Sequence, residues 1–201
     1  LESLGALEDA EEKKQALYFV TMSYAAQNLA DRAVENYDAF QSAYKADPIG
    51  ENLQLVMGVM YLNPDAKHAN AEKAIQYFNE GLEIYPKGRT FGALVLARAQ
   101  AQIQLKKFAE AEKALQDTLA QKPAKELAVD AEFFLGTVQI QTGKQAEAVK
   151  TFKDVREKYP GTPQAELSHY QIGQLLSTLD AKAALPEIED FLKKYPQSQY
   201  T

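Results

Sequence analysis

The sequence predicts an all-α chain of about ten helices, a right-handed α-solenoid built from about five helical hairpins. The first reason is composition, since Ala and Leu are strong helix formers and only 10 Gly and 8 Pro occur among 201 residues. The second is an internal repeat marked by five prolines that stand 38, 37, 37 and 36 residues apart. These are Pro48, Pro86, Pro123, Pro160 and Pro196.

The prolines coincide with a second regular feature, a small residue followed four positions later by a bulky one. Residues four apart share one helix face, so the small residue allows a neighbouring helix to approach and the bulky one fills the space above it. The small residues of the last four repeats are Ala74, Ala111, Ala148 and Ala184, and their bulky partners are Phe78, Leu115, Phe152 and Ile188. The first repeat follows the same plan with Tyr24, Ala33 and Tyr37.

Loop residues between the apolar stretches place the helices in order along the chain. The predicted pairs cover residues 11–28 and 31–46, 51–62 and 70–85, 90–105 and 108–121, 125–141 and 145–158, and 163–178 and 181–194. The repeats accordingly cover about residues 11–48, 49–86, 87–123, 124–160 and 161–196. Because one hairpin cannot bury its apolar face alone, we expect residues 1–201 to form a single domain.

Net charge limits the classes of partner. The chain carries a net charge of −6, whereas a protein that binds a nucleic-acid backbone needs a basic face. Residues 1–50 hold nine acidic and four basic residues, a net of −5. This acidic region is either a docking surface for a basic partner or a solvated face. The acids are Glu2, Glu8, Asp9, Glu11, Glu12, Asp31, Glu35, Asp38 and Asp47.

Two further features bear on location and chemistry. The chain has no cysteine, which excludes disulfides, thiolate metal sites and thiol catalysis. No run of about 18 apolar residues exists, so no transmembrane segment is expected. The sequence opens at Leu1 without Met, from which we expect a processed or truncated N-terminus that has lost a signal peptide or anchor.

The repeat resembles the tetratricopeptide repeat (TPR) family, whose pattern runs Leu-Gly, an aromatic residue, a turn, Ala-x-x-x-Phe and a closing Pro. The fourth repeat matches it best. The third departs from it, because Arg98 and Ala99 replace Leu-Gly. The matching residues of the fourth repeat are Leu135-Gly136, Gly143-Lys144, Ala148, Phe152 and Pro160.

The last repeats resemble more narrowly those of bacterial envelope TPR proteins, of the outer-membrane assembly lipoprotein and Tol-Pal coordinator types. This resemblance implies a periplasmic or outer-membrane-associated protein, with a cytoplasmic location as the alternative. The residues that carry it are Phe152, Tyr159-Pro160-x-Thr162, Ala165, Tyr170 and Ile172-Gly173, with Tyr195-Pro196-Gln197-Ser198 repeating the junction.

The TPR resemblance implies that a partner lies in a concave groove formed by the first helix of each pair. Carried over by register, the groove has a largely apolar to amidic floor that suits a hydrophobic or aromatic peptide segment. The alternative is that these side chains only pack neighbouring repeats together. The groove residues are Tyr18, Met22, Leu55, Val59, Leu96, Gln100, Phe133, Thr137, Tyr170 and Gln174.

One specific activity of that family is not expected. Chaperone-tail-binding members grip a terminal carboxylate with Lys, Asn and Arg on these faces. Here the corresponding positions hold Tyr18, Met22 and Val56, and the third repeat offers at most Arg98.

Catalysis and metal binding are not expected either, and no cofactor is predicted. Only His68 and His169 could transfer protons near neutral pH. His68 is predicted to be exposed in a long turn, and His169 to pack or cap a helix. The carboxylates of Glu187, Glu189 and Asp190 are interpreted as solvated helix faces.

Three hypotheses about function follow. The first is a non-catalytic scaffold or adaptor that holds a protein segment in its groove, in bacterial envelope assembly or maintenance. The second is a self-associating structural spacer, and therefore a homo-oligomer. The third is an accessory subunit that docks on a larger complex by its convex face or its acidic N-terminal face.

Overall fold

The structure is a computed structural model that describes residues 9–200. Within this range the chain forms ten α-helices and no strand, which confirms the predicted all-α class of paired helices. Every predicted helix end lies within two residues of the observed one. The helices are α1 (Ala10–Ala26), α2 (Ala30–Tyr44), α3 (Leu53–Leu62), α4 (Ala71–Ile84), α5 (Phe91–Gln104), α6 (Phe108–Ala120), α7 (Lys125–Gln141), α8 (Gln145–Lys158), α9 (Pro163–Leu179) and α10 (Ala181–Lys194).

Side-chain caps begin several of these helices. The side chain of Asp9 accepts from the backbone N–H of Glu11, and that of Asn70 accepts from Lys73, so free donors of the first turn are satisfied. Thr162 caps α9 in the same way, and Pro163 follows it at the first helical position. The predicted junctions therefore act as helix start signals.

A short 3-10 helix, Pro48–Asn52, precedes α3 and delays its start by two residues relative to the prediction. Asp47 caps it, with Oδ1 accepting from the backbone N–H of Ile49 at 3.0 Å. Gly50 lies in this segment directly against the ring of Phe40, where an added Cβ would stand 2.4 Å from a ring carbon. Only glycine allows the backbone this approach.

Backbone contacts divide the chain into two compact units, unit 1 (residues 1–106) and unit 2 (residues 107–201). The division falls between α5 and α6, inside the predicted third repeat. This is the repeat in which Arg98 and Ala99 replace Leu-Gly. Whether residues 1–201 unfold as the single domain predicted from the sequence stays a prediction.

In unit 1, α1 packs on α2, α3 on α4, and α4 on α5. The small residues Ala33 and Ala74 are fully buried, as is the ring of Phe78. Gly58 of α3 lies so close to that ring that an added Cβ would stand 2.2 Å from it. The small-and-bulky pattern therefore forms the core of this unit, as predicted.

In unit 2, α7 packs on α6 and α8, and α9 on α8 and α10. Ala111, Leu115, Ala148 and Phe152 are all fully buried, in agreement with the pattern. Ile188 is different, because 37% of its surface remains exposed. Its bulky side chain is open because no further helix of the described chain covers this face of α10.

Across residues 9–200, no helix combines the length and apolar character that spanning a membrane requires.

Candidate protein-binding surfaces

The ten predicted groove residues lie on the first helices α1, α3, α5, α7 and α9, two per helix and four positions apart. None of them is fully buried. Val59, Gln100 and Gln174 are exposed, and the other seven are half-buried. All ten side chains are therefore at least partly accessible. Which of them contact a partner stays a prediction.

An open pocket of about 510 Å³ lies between the end of α1 and the face of α3 in unit 1. It brings together two of the predicted groove residues, Leu55 and Val59. Half of the Val59 side-chain surface is exposed, at 51%, which is unusual for valine on an otherwise well-packed helix. The other lining residues are Ala25, Ala26, Asn28, Asn52, Val56, Met60 and Asn63.

Three asparagines stand around this apolar floor. An asparagine amide offers both a donor and an acceptor, which matches the donor and acceptor pattern of an extended peptide backbone. Asn28 has a positive φ of 56°, a conformation that asparagine adopts more readily than most residues. Sequence analysis did not include these asparagines in the groove, because they lie in helix-end positions outside the register of the repeat.

Tyr18 and Met22 lie on α1 and pack against the core of unit 1 while keeping part of their surface exposed. The ring of Phe19 stands edge-on to Tyr18 at 5.2 Å and is 63% exposed. Sequence analysis missed Phe19, which presents more apolar surface than any predicted groove aromatic.

The remaining pairs show more packing and less open surface. The Phe133 ring lies 5.6 Å from the ring of Phe152 and joins its core cluster, and the Thr137 hydroxyl donates to the Phe133 carbonyl at 3.2 Å. On α5, Leu96 is half-buried and Gln100 is exposed. The Phe133 ring therefore packs within its own hairpin, against α8, and whether it also contacts a partner stays a prediction.

Arg98, considered above as a clamp residue, is half-buried beside α4. Its Nη1 donates to Oδ1 of Asn79 at 3.0 Å, and burial lowers the pKa of its guanidinium. Arg98 is thus held against α4 by this hydrogen bond, and the absence of a carboxylate clamp stays a prediction.

Unit 2 has a second pocket, of about 290 Å³, between α9 and α10. It brings together the predicted groove residues Tyr170 and Gln174, and the amide of Gln174 donates to the Tyr170 hydroxyl. The ring of Tyr200 stacks on Tyr170 with centroids 4.9 Å apart. The segment after α10 therefore covers one side of a residue that the sequence places on an open groove floor.

His169 lies fully buried at the back of this second pocket. Its ring stands edge-on to Phe191 at 5.5 Å, and Nε2 is 3.4 Å from Oε2 of Glu187. Burial lowers its pKa, and the charge of Arg156 lowers it further, so the imidazole is neutral at pH 7. The position agrees with the predicted packing role.

Two sequence-based expectations about charged and polar groups are wrong. Glu187 is not a solvated carboxylate, because it is only 18% exposed and lies 2.5 Å from Nη1 of Arg156. His68 is half-buried rather than solvent-exposed, since its ring packs edge-on against Tyr61 at 5.5 Å. Glu187 is covered by Arg156, which lies 31 residues earlier on another helix, so local spacing carries no sign of it. His68 is covered by Tyr61 at the end of the preceding helix α3.

The acidic region at the start of the chain is partly described. Glu2 and Glu8 lie outside the described residues. Asp9, Glu11, Glu12, Asp31, Glu35 and Asp38 are exposed. Asp47 is different, because its Oδ2 accepts from Nζ of Lys14 at 2.8 Å, and this contact lowers the pKa of Asp47.

In the described range, residues 9–200, no group of three or more His, Asp or Glu side chains is arranged to hold a metal ion. The lining of both pockets is mostly apolar and amidic, which is suited to contact and hydrogen bonding.

Known proteins provide an independent comparison. Residues 130–162 match the family model described as a tetratricopeptide repeat, which overlaps most of the fourth predicted repeat, residues 124–160. Among curated proteins, none matches the chain.

Solved structures share the fold at low sequence identity. A crystal structure of MamA aligns with a TM-score of 0.70 and 16% identity over 92% of each chain. The double mutant "MamA RS-1 ArsTM" gives 0.70 and 14% identity over 94% of this chain and 97% of its own. The TPR-like repeats of a kinesin light chain ascribed to Podosopora anserina give 0.66 and 16% identity over 96% of this chain and 100% of theirs. Residues 130–162 thus match one tetratricopeptide repeat, and these solved structures share the fold of the chain.

Proposed function

We propose that this chain is a non-catalytic scaffold that binds a segment of a partner protein against its first helices. The pocket between α1 and α3 is the main contact in unit 1. The observation that carries the proposal is the open apolar floor formed by Leu55 and Val59, with asparagines at its edge. Such a floor accepts an apolar side chain, while the amides pair with the partner's backbone.

The shared fold supports a binding role in general, because TPR-type repeats expose long first-helix surfaces. Exposed apolar side chains concentrated at one pocket are a recognised sign of a protein-binding site. Val59 lines this pocket and is 51% exposed. Phe19, on α1 but outside the lining, is 63% exposed.

The test compares two variants in affinity capture from extract of the source organism. Val59→Asp places a charge on the pocket floor, whereas Leu179→Asp places the same charge on an apolar residue of similar exposure, 46%, that lines neither pocket. Both sites are exposed, so neither change disturbs the core. We expect a partner that is retained by wild type and by Leu179→Asp and lost by Val59→Asp. Equal retention of the partner by wild type and by both variants would refute the pocket as the binding site.

The cellular setting that we propose is the bacterial envelope, with the protein in the periplasm or at the outer membrane. The support is the repeated Tyr-Pro-x-Thr/Ser junction at Tyr159 and Tyr195, which resembles envelope TPR proteins. Fractionation of the source cells tests this setting, and recovery in the cytoplasmic fraction would contradict it.

A second candidate function, self-association, is favoured by one face of α10. Leu185, Ile188 and Leu192 are 61%, 37% and 46% exposed and stand three and four positions apart, so they form one apolar stripe. If two copies meet there, sedimentation velocity will show a dimer that Leu185→Glu with Leu192→Glu dissociates, while Val59→Asp leaves it intact. A monomer at all concentrations would exclude this candidate.

A further inference from the structure

A polar pocket of about 320 Å³ lies between α2 and α4 in unit 1 and includes none of the predicted groove residues. Both elements are second helices of their pairs, so the pocket lies apart from the first-helix surface discussed above. Its main lining residues are Tyr37, Asp38, Gln41, Lys73, Tyr77 and Glu80.

Several buried polar atoms at this pocket lack hydrogen-bond partners among the described residues. Tyr37 is only 3% exposed and lines the pocket, and its hydroxyl lies near the Glu80 and Gln54 side chains without a hydrogen bond of normal geometry to either. Both amide atoms of Gln41, which also lines the pocket, are buried and have no hydrogen-bond partner among the described residues. Buried polar groups are rarely left unpaired in proteins, because each one costs stability unless something hydrogen-bonds to it.

The charged side chains that line the pocket carry a net negative charge. Asp38 and Glu80 contribute two carboxylates, and Lys73 contributes one ammonium. The Lys73 ammonium is already engaged, since Nζ donates to the Tyr61 hydroxyl at 2.7 Å and lies 4.4 Å from the centre of that ring. Burial raises the pKa of Tyr37 above its ordinary range, and the negative charge of Glu80 adds to that shift.

Aromatic rings form one wall of the same pocket. Tyr37 and Tyr77 line the pocket and meet edge-on with centroids 5.2 Å apart. Tyr61 lies outside the lining and stacks on Tyr77 at 5.7 Å. Ring faces attract cations, most of all cations that are planar and weakly hydrated.

We propose that this pocket binds the guanidinium group of an arginine side chain from a protein partner. Guanidinium carries five N–H donors in one plane, which suits several acceptors around one space. The acceptors here are the two carboxylates, the Tyr37 hydroxyl and the Gln41 amide oxygen. A lysine ammonium has only three donors and is more strongly hydrated, so it fits this set less well.

The first experiment is a titration of the ¹⁵N-labelled chain, followed by NMR, with three small probes. Nα-acetyl-arginine N-methylamide is expected to give saturable shifts at α2 and α4 amides, with a dissociation constant in the range of about 1–10 mM. The citrulline analogue has nearly the same shape without the charge, and the lysine analogue has a different cation. Both are expected to bind at least about ten-fold more weakly. Equal binding of either, or no saturable arginine shift, would overturn the proposal.

Variants then locate the site. Asp38→Asn and Glu80→Gln are each expected to raise the dissociation constant of the arginine probe at least about ten-fold. The matched control is Glu35→Gln, which removes the same charge from an exposed position of α2 outside the lining and should keep wild-type binding. If the control weakens binding as much as the two variants, the effect is general electrostatics and the proposal fails.

Tyr37→Phe separates binding from folding. It keeps the ring against Tyr77 and removes a hydroxyl that has no hydrogen bond of normal geometry, so thermal stability is expected to stay equal or rise while probe binding falls about three-fold or more. A drop in stability with unchanged binding would show that the hydroxyl serves the fold only. Because Val59 lies outside this pocket, Val59→Asp leaves probe binding unchanged, which keeps this test separate from that of the proposed function.

Discussion

At the scale of single residues, close packing of the hairpins depends on positions that have almost no side chain. Gly136 on α7 faces the fully buried ring of Phe152, where an added Cβ would stand 2.7 Å from a ring carbon. Gly173 on α9 faces Ile188 at 3.1 Å, but Ile188 is partly exposed and can move. A larger side chain is therefore better tolerated at Gly173 than at Gly136, although the two glycines lie in neighbouring repeats.

This difference predicts opposite outcomes for two alanine substitutions. Gly136→Ala should lower the free energy of unfolding by about 1–2 kcal/mol, because overpacking outweighs the helix propensity that alanine adds. Gly173→Ala should be neutral or stabilising by up to about 1 kcal/mol. Urea unfolding measures both values, and a Gly136→Ala variant as stable as wild type would show that the Phe152 ring has room to move.

Asp47 predicts a dependence of stability on pH. Nζ of Lys14 and the backbone N–H of Ile49 both donate to its carboxylate and lower its pKa in the folded state. A lowered folded pKa means that the stabilisation is fully present above the ordinary value of about 3.9 and is lost as pH falls through the folded pKa.

We therefore expect Asp47→Asn to be less stable than wild type at pH 7, with a difference that shrinks as the pH falls below about 4. Thermal unfolding of both proteins over this range measures it. A stability gap that is the same at pH 7 and at pH 3 would contradict the assigned cause.

Sequence reasoning succeeded at residues whose role is set by local spacing. Ala148 and Phe152 are four positions apart on one helix, so their shared buried face follows from helix geometry. It failed at Glu187, which looks like a solvated carboxylate until Arg156 of α8 is placed beside it. It also omitted Asn28, because its value to a binding site depends on a pocket formed with a different helix.

At the scale of secondary-structure elements, one ion pair connects helices that are not sequential. Arg156 on α8 and Glu187 on α10 lie 2.5 Å apart, and their side chains are only 17% and 18% exposed. The fully buried His169 of α9 lies beside this pair. The pair thus stabilises the arrangement of α8, α9 and α10 within unit 2.

A double-mutant cycle measures this contribution. Arg156→Gln and Glu187→Gln should each destabilise the protein, with a coupling energy of about 1–3 kcal/mol, because each change removes the shortest ion contact of a largely buried partner. The contacts that remain are longer, 3.6 Å from Glu187 to Lys153 and 3.8 Å from Arg156 to Glu157. The matched control is the exposed pair Asp154 and Lys158, 3.9 Å apart, whose coupling should be about 0.3–0.5 kcal/mol. Equal coupling in the two cycles would show that burial adds nothing to the first pair.

Helix boundaries could be predicted closely because their signals are local. Thr162 and Pro163 start α9 in the structure, as start signals of this kind indicate. The 3-10 helix at Pro48–Asn52 was not predicted, since its one-turn length leaves no periodic pattern.

At the scale of the whole molecule, the main question is whether the two units unfold together. The regular repeat predicts one cooperative domain, whereas the contacts divide the chain after residue 106. Amide hydrogen exchange decides between these possibilities. A single domain predicts the same highest opening free energy in α1–α5 and in α6–α10. If the highest opening free energy of α1–α5 differs from that of α6–α10, the single-domain prediction is contradicted.

The repeat also explains why the fold could be predicted and the partner could not. Regular spacing of proline, alanine and aromatic residues determines where helices begin and which faces they bury. Binding depends on the few positions where that regularity leaves apolar surface open, such as Val59, and these vary independently of the repeat. The ten predicted groove residues consequently include both open positions and packed ones such as Phe133.

The most direct test of the scaffold function is site-specific photo-crosslinking in cells of the source organism. A photoreactive phenylalanine replaces Val59 in one sample and Leu179 in a control, because both side chains are exposed and only Val59 lines the pocket. Our account predicts a defined crosslinked partner protein from Val59, with the crosslinks in one continuous segment of it, and none from Leu179. The same crosslinks from both positions, or crosslinks from Leu179 alone, would contradict it.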